Sequence, residues 1–229
     1  DYQPENFDGK VGGKQTLREG LKKSTNLIAV RLVSKMSDGP NKVKNIAEKF
    51  GITSNLYPGE AIALGSSSVY PLEMTAAYSA IANNGTLMTP SYIYRIENSL
   101  GRTLDEIDPE ENYAEENEAL IYLIRDMMKD VVNEGTGGAL RWKYKFHGPV
   151  AGKTGTTDKF TDAWFVGFTP QIAIGVWVGM DNPAVSIKKY GSQAALPIFS
   201  RSIKTIYDFG EYSLGNQKTR KLDSKLDWN

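Results

Sequence analysis

The sequence predicts an α+β domain or an α/β sandwich, with helices first and an antiparallel sheet under a covering helix second. Three observations carry this. Up to about residue 147 the apolar positions recur mainly at helical spacing, at Val43, Ile46, Ala47 and Phe50 and again in Ala119 to Val132. Beyond Gly148 the texture turns to β, in Val150 to Thr156, Ala163 to Phe168 and Gln171 to Met180. Thr169-Pro170-Gln171 is too short for a crossover, so the last two runs form an antiparallel hairpin. Helices and strands segregated in this way mark the α+β class.

Residues 1–15 are polar and Gly-rich and read as extended or loop. Thr16 then caps a short helix to about Lys23, with Glu19 at the capping-box position. Ser24-Thr25-Asn26 interrupts it, and a second helix runs from Leu27 to Met36. By spacing alone, Ser24-Thr25-Asn26 is a capping turn between two helices. Pro40 starts a third helix, which ends at Gly51. Residues 52–70 show little periodicity and read as a long connection containing a serine run, Ser66-Ser67-Ser68. Pro71 opens a helix that closes at Asn83-Asn84-Gly85. Ser91 to Ile96 and Arg102 to Ile107 make a hairpin, and the acidic stretch Asp105 to Glu118 is a solvated surface with a helix start. In the helix Ala119 to Val132, the residues Leu120, Leu123, Ile124, Met127, Met128 and Val131 share the apolar face. Gly135-Thr136-Gly137-Gly138 reads as a flexible turn. The run Ile172 to Val178 lacks polar alternation, as expected of a strand buried on both faces. A helix from about Ala194 to Phe209 covers one face of the sheet, and the polar, basic residues from Gly210 on read as a frayed tail.

Composition narrows the function classes. Lys plus Arg equals Asp plus Glu, 27 each, which gives no support for nucleic-acid binding through bulk charge. Cysteine is absent, excluding disulfides and thiolate metal sites, and one histidine, His147, argues against a His-based zinc site or a Ser-His-Asp triad. No cofactor is expected. No run of about 18 apolar residues marks a membrane segment.

The chemistry concentrates in Gly148 to Gly167. Lys153, Thr154, Gly155, Thr156 and Thr157 place a cation, three hydroxyls and a glycine together before an apolar, aromatic segment, a group suited to holding an anion against a strand. Gly152-Lys153-Thr154 invites a phosphate-loop reading, but that motif needs a glycine where His147 stands, and a helix rather than a strand after it. Lys-Thr-Gly at a strand rim is one of three marks of penicillin-binding proteins and class A β-lactamases, and Ser24-Thr25-Asn26 fits a second mark, Ser-x-Asn. Residues 16–32, Ala63-Leu64-Gly65, Pro71 to Tyr78, and Gly152 to Thr157 with Asp162 to Gly167 resemble, in order, the transpeptidase domain of class A (bifunctional) penicillin-binding proteins, over most of residues 2–182. The third mark, Ser-x-x-Lys, departs: its sole match is Ser186 to Lys189, at the wrong place in the order. The chain is therefore expected to be the C-terminal part of such a domain, with the nucleophile on another segment.

The resemblance implies a fold of the penicillin-recognising serine acyltransferase type, incomplete at the N-terminus. Residues 1–209 would form a partial transpeptidase domain, a mainly helical lobe over 1–147 with sheet and helix over 148–209, followed by a tail over 210–229. It implies a peptidoglycan D,D-transpeptidase that cross-links stem peptides ending in D-Ala-D-Ala through an acyl-serine and is acylated by β-lactams. The alternatives are a β-lactamase, a D,D-carboxypeptidase, a β-lactam sensor, or a pseudo-domain without a nucleophile. By resemblance Ser24 relays a proton to the leaving amine, and Asn26 bonds the substrate amide and the active-site lysine of the missing segment. Lys153 keeps the site electropositive, the Thr154 and Thr156 hydroxyls bind the substrate carboxylate, and Thr157 is a further substrate-binding residue. Gly155 allows close approach, and the Thr156 N–H is an oxyanion donor. The implied partners are stem peptides, β-lactams and the missing N-terminal part, at the outer face of the cytoplasmic membrane. An open edge is expected on the strand from Gln171 to Met180. Trp164 and Phe165 are expected in the core, and Asp162 is left without a role.

Overall fold

The computed structural model describes residues 4–6, 9–115, 117–182, 184–209, 211–212, 220–223 and 225–228. Two helices come first, α1 (Leu17–Lys23) and α2 (Asn26–Lys35). The Thr16 hydroxyl accepts from the Glu19 N–H at 3.2 Å. Only half of the expected capping box forms, because the Glu19 carboxylate turns to Lys22 and Lys23 instead. The two helices cross closely at Gly20, where a Cβ would stand 2.7 Å from the Ile28 side chain.

Helix α3 (Gly39–Lys49) and a short 3₁₀ turn at Glu60–Leu64 follow. The connection over 52–70 is more ordered than its lack of periodicity suggests. Ile52, Leu56 and Ile62 are buried in a small core with Ala77, against Val43, Ala47 and Phe50. Ile46, expected on that face, is exposed. Helix α4 (Pro71–Ala82) supplies Ala77 to this core, and its Glu73 accepts hydrogen bonds from Thr53 and Ser54, tying the connection to the helix start.

The expected hairpin is present but shorter, as β2 (Arg95–Glu97) against β3 (Thr103–Glu106). A second pair was not foreseen: β1 (Thr86–Met88) against β4 (Glu111–Tyr113). The acidic residues around β4 disguise it, since all three of its side chains are exposed and carry no apolar alternation.

Helix α5 (Glu118–Asn133) is capped by the Asn117 side chain. Its buried face differs from the expected one. Ile121, Arg125, Met128, Val131 and Val132 are buried, whereas Leu120 and Leu123 remain about half exposed, at 52% and 51%. Arg125 accounts for the shift. Its guanidinium donates to the Asn84 side chain at 2.7 Å and lies 5.2 Å from the Trp228 ring, so a charged residue occupies a core position that apolar spacing assigns elsewhere. A one-turn helix, α6 (Ala139–Trp142), comes next.

The central sheet is antiparallel in the order β5 (Ala151–Thr156), β6 (Asp162–Phe168), β7 (Ala173–Gly179). Helix α7 (Gly191–Phe209) starts three residues before Ala194 and carries Pro197 in its interior. One sheet face packs Phe165, Val176 and Val150 against Leu196, Phe199 and Ile203 of α7. The other sets Ala151, Phe168 and Ala173 against Met128 of α5 and Tyr78 and Ile81 of α4. The result is three layers, helix on sheet on helix. On β7, Ile174, Val176 and Val178 meet the first core, and Gly175 abuts Thr75 of α4. Both faces are covered as expected, while Trp177 is 38% exposed. Among the described residues no strand pairs with the free edge of β7.

The residues from Gly210 on lie partly outside the described residues. Those described are docked, contrary to a frayed tail. Strands β8 (Glu211–Tyr212) and β9 (Arg220–Lys221) pair, Leu222 is buried, and the Trp228 ring stands edge-on to Phe168 at 5.8 Å. An aromatic ring and a leucine anchor a stretch that average polarity marks as solvated.

Candidate active site

Strand β5 runs antiparallel to β6 from Ala151↔Phe168 to Thr156↔Ala163, and its last residues project past the buried core to the rim of the sheet. Alternation places Lys153 and Gly155 on one face and Thr154 and Thr156 on the other. Gly155 is opposite Trp164, and a Cβ on Gly155 would stand 3.1 Å from that side chain's Cβ. The glycine therefore fits the strand against its neighbour as well as leaving the rim bare.

Ser24 meets β5 from the helical side. It terminates α1 in the left-handed region, at φ 57° and ψ 47°, and its N–H turns back to the carbonyls of Gly20 and Leu21. A serine there bears the steric cost that glycine usually avoids. The close α1–α2 crossing at Gly20 holds the turn. The Lys153 Nζ donates to Ser24 Oγ at 2.7 Å and to the Thr154 carbonyl at 2.9 Å. Burial brings the Lys153 pKa down to about 8, because removing the ammonium from water disfavours its charged form. A solvated surface lysine would show neither the partner nor the shift.

The remaining residues named from the sequence are placed as follows. The Asn26 Nδ2 donates to the Glu5 carbonyl at 2.9 Å, and Asn6 Oδ1 accepts from the Leu27 N–H at the start of α2. The N-terminal segment thus covers the Asn26 side chain, and no hydrogen bond joins it to Lys153. Thr156 Oγ1 accepts from the Gly191 N–H at 3.0 Å, at the first residue of α7. Thr157 Oγ1 lies 3.0 Å from Asp162 Oδ2 and accepts from the Asp162 N–H at 2.8 Å, so its hydroxyl closes the β5–β6 turn. Asp162 acquires a role here: its other oxygen accepts from Trp177 Nε1 at 2.8 Å, which links the turn to β7. The Ser186 hydroxyl instead donates to the Phe160 carbonyl, in the turn between β5 and β6, and accepts from the Lys188 N–H. Phe165 is fully buried against Phe199, with ring centroids 4.6 Å apart.

Comparison with known proteins decides the family. The penicillin-binding protein transpeptidase domain family matches residues 2–204. The chain belongs to this family. The penicillin-binding protein 1A of Aquifex aeolicus is 42% identical over 208 residues, covering 90% of this chain and 28% of that protein. Penicillin-binding protein 1A of Rickettsia typhi is 35% identical over 221 residues, again covering 28% of its length. The chain thus spans about 28% of the length of these curated relatives. Among solved structures, penicillin-binding protein 1A from Haemophilus influenzae superposes with a TM-score of 0.79 at 24% identity, covering 97% of this chain and 38% of that one. The PonA1 protein from Mycobacterium tuberculosis in complex with penicillin V gives a TM-score of 0.76 at 25% identity, covering 92% of this chain and 61% of that one. The α+β class and the resemblance to class A penicillin-binding proteins read from the motifs are both upheld.

Within this penicillin-binding transpeptidase domain, sequence reading missed Thr136. Its hydroxyl lies 2.7 Å from that of Thr154. The local pattern Gly135-Thr136-Gly137-Gly138 held the signal, since glycines on both sides of one hydroxyl indicate a tightly placed backbone as readily as a flexible one.

Proposed function

We propose that this chain forms part of a serine-type D,D-transpeptidase that cross-links peptidoglycan stem peptides and is acylated by β-lactams. The observation that carries the reading is the 2.7 Å hydrogen bond from Lys153 to Ser24, which unites two motifs 129 residues apart in sequence at the rim of one strand. In the proposed reaction, a serine outside these 229 residues gives its proton to a base also outside them, which returns it to Lys153, and attacks the D-Ala-D-Ala amide carbonyl. The C–N bond breaks, an acyl-serine forms, and D-Ala leaves as an amine. Ser24 passes a proton to that nitrogen and is recharged through Lys153. The amine of a second stem peptide then attacks the ester, and the proton it gives up returns to the serine oxygen as the cross-link forms.

The Lys153 pKa of about 8 suits both tasks assigned to it. At pH 7 the group is about nine-tenths protonated and keeps the site positive for an anionic substrate, yet its proton is easily exchanged with Ser24. Thr154 and Thr156 serve the substrate carboxylate, and the Thr156 N–H serves the developing oxyanion. Thr157 acts through the shape of the turn it closes with Asp162. Asn26 reaches the substrate amide once its bond to Glu5 is exchanged. By this reading the chain works at the outer face of the cytoplasmic membrane, with residues 1–209 as the domain.

Covalent labelling with a fluorescent penicillin tests the proposal. Residues 1–229 alone are expected to take no label. The longer protein carrying the domain is expected to label, and Ser24→Ala or Lys153→Ala should slow acylation by about 10²-fold or more. A label on residues 1–229 alone, or full labelling of both variants, overturns it.

A further inference from the structure

We infer that Thr136 is a positioning residue of this site: it donates to the Thr154 hydroxyl, so that Thr154 in turn donates to the substrate carboxylate. The inference rests on the reading of the site given above and adds a residue to it.

Thr154 and Thr156 share one face of β5, about 7 Å apart along the strand. A single carboxylate can bridge that separation with one oxygen to each hydroxyl. A threonine hydroxyl has one hydrogen to give and two lone pairs to receive. Thr156 already receives, from the Gly191 N–H at 3.0 Å. An amide N–H can only donate, so the Thr156 hydrogen stays available for an anion. Thr154 stands in the matching position only when its 2.7 Å partner, Thr136, is the donor. Hydrogen bonds then run in one direction, from Thr136 to Thr154 to the carboxylate, and each polarises the next. Lys153 adds positive charge beside this strand segment, since its ammonium bonds the Thr154 backbone carbonyl at 2.9 Å.

Thr136 is fixed firmly enough to do this. Its N–H donates to the Lys22 carbonyl at 3.3 Å, two residues before Ser24. The Lys22 ammonium pairs with Glu134 at 3.2 Å. On one side of Thr136, Gly135 has no room for a side chain, because a Cβ would stand 2.4 Å from the Lys22 carbonyl oxygen. On the other, Gly137 lies against the Phe165 ring, where a Cβ would stand at 3.3 Å. The loop is wedged between the helix that presents Ser24 and the strand that presents Lys153. It fixes the relation of the two walls and directs one hydroxyl between them.

The test uses the longer protein that carries the whole domain. Pre-covalent affinity and the acylation rate of the bound complex are measured with penicillin and with its methyl ester, which lacks the carboxylate charge. Thr136→Val keeps the shape and removes the hydroxyl. It should weaken penicillin binding about tenfold, leave the acylation rate of the bound complex unchanged, and handle the ester as the parent does. Thr136→Ser should restore penicillin binding. Equal penicillin binding by Thr136→Val and the parent overturns the inference and leaves the transpeptidase reading standing. An equal loss with the ester, together with a lowered melting temperature, also overturns it, since that is the mark of a loosened loop. No acylation of the parent overturns the underlying reading as well.

Discussion

Tyr92, Ile93, Tyr94 and Ile96 are as apolar as Ala163, Phe165, Val166 and Phe168, and both runs lead into antiparallel pairings. The first four are exposed and the second four buried. The difference is a second layer. Strands β5 to β7 carry α7 on one face and α4 and α5 on the other, whereas all four residues of β3 stand exposed. The contrast bears on Lys153, which sits on the covered sheet. Burial lowers the Lys153 ammonium pKa to about 8, and the covered sheet supplies burial that the exposed hairpin does not. The hairpin has strand residues but no dry environment.

The comparison can be broken at several points. The largest effect is expected at Phe199, which is fully buried against Phe165. Phe199→Ala should cost about 3–5 kcal/mol in urea unfolding, and a loss under 1 kcal/mol would show that the α7 layer is not what stabilises the sheet. Next comes the pH dependence of Lys153. Its folded pKa of about 8 lies below its ordinary 10.5. Below pH 8 both states are protonated and the burial penalty is complete. Between about 8 and 10.5 the unfolded chain binds more protons, so stability rises with pH, and above 10.5 the penalty is gone. Relative to Lys153→Met, the parent should therefore gain on the order of 3 kcal/mol across that window. Parallel stability curves for the two proteins would show that Lys153 is solvated like any hairpin residue. The smallest effect belongs to the hairpin: Ile96→Thr should change stability by no more than about 0.5 kcal/mol, and a larger loss would reveal a layer over β2.

Much of the architecture was legible in advance because it depends on local chemistry. Pro71, with the Asn83-Asn84-Gly85 stop, delimits α4 to within a residue, and the tight Thr169-Pro170-Gln171 turn fixes β6 and β7 as an antiparallel pair. Ordered motifs were enough to indicate the family, since Lys-Thr-Gly and Ser-x-Asn are short but keep their sequence order. Less legible were features that depend on distant partners. The apolar face of α5 was misassigned because Arg125 is made welcome in the core by Asn84 and Trp228, 41 and 103 positions away. Strand β4 was hidden because its three residues are exposed and pair only with β1.

Local sequence was enough for the main helices, the α+β class, the β6–β7 hairpin, and which residues form the Lys153 and Ser24 motifs. These follow from dihedral preferences and periodicities that act over a few residues. Long-range folding set the rest: Lys153 is half-buried and bonded to Ser24, the Thr157 hydroxyl is engaged by Asp162, and Thr136 stands behind Thr154. Desolvation and hydrogen-bond direction depend on what folds over a residue from elsewhere in the chain, and no local pattern encodes that.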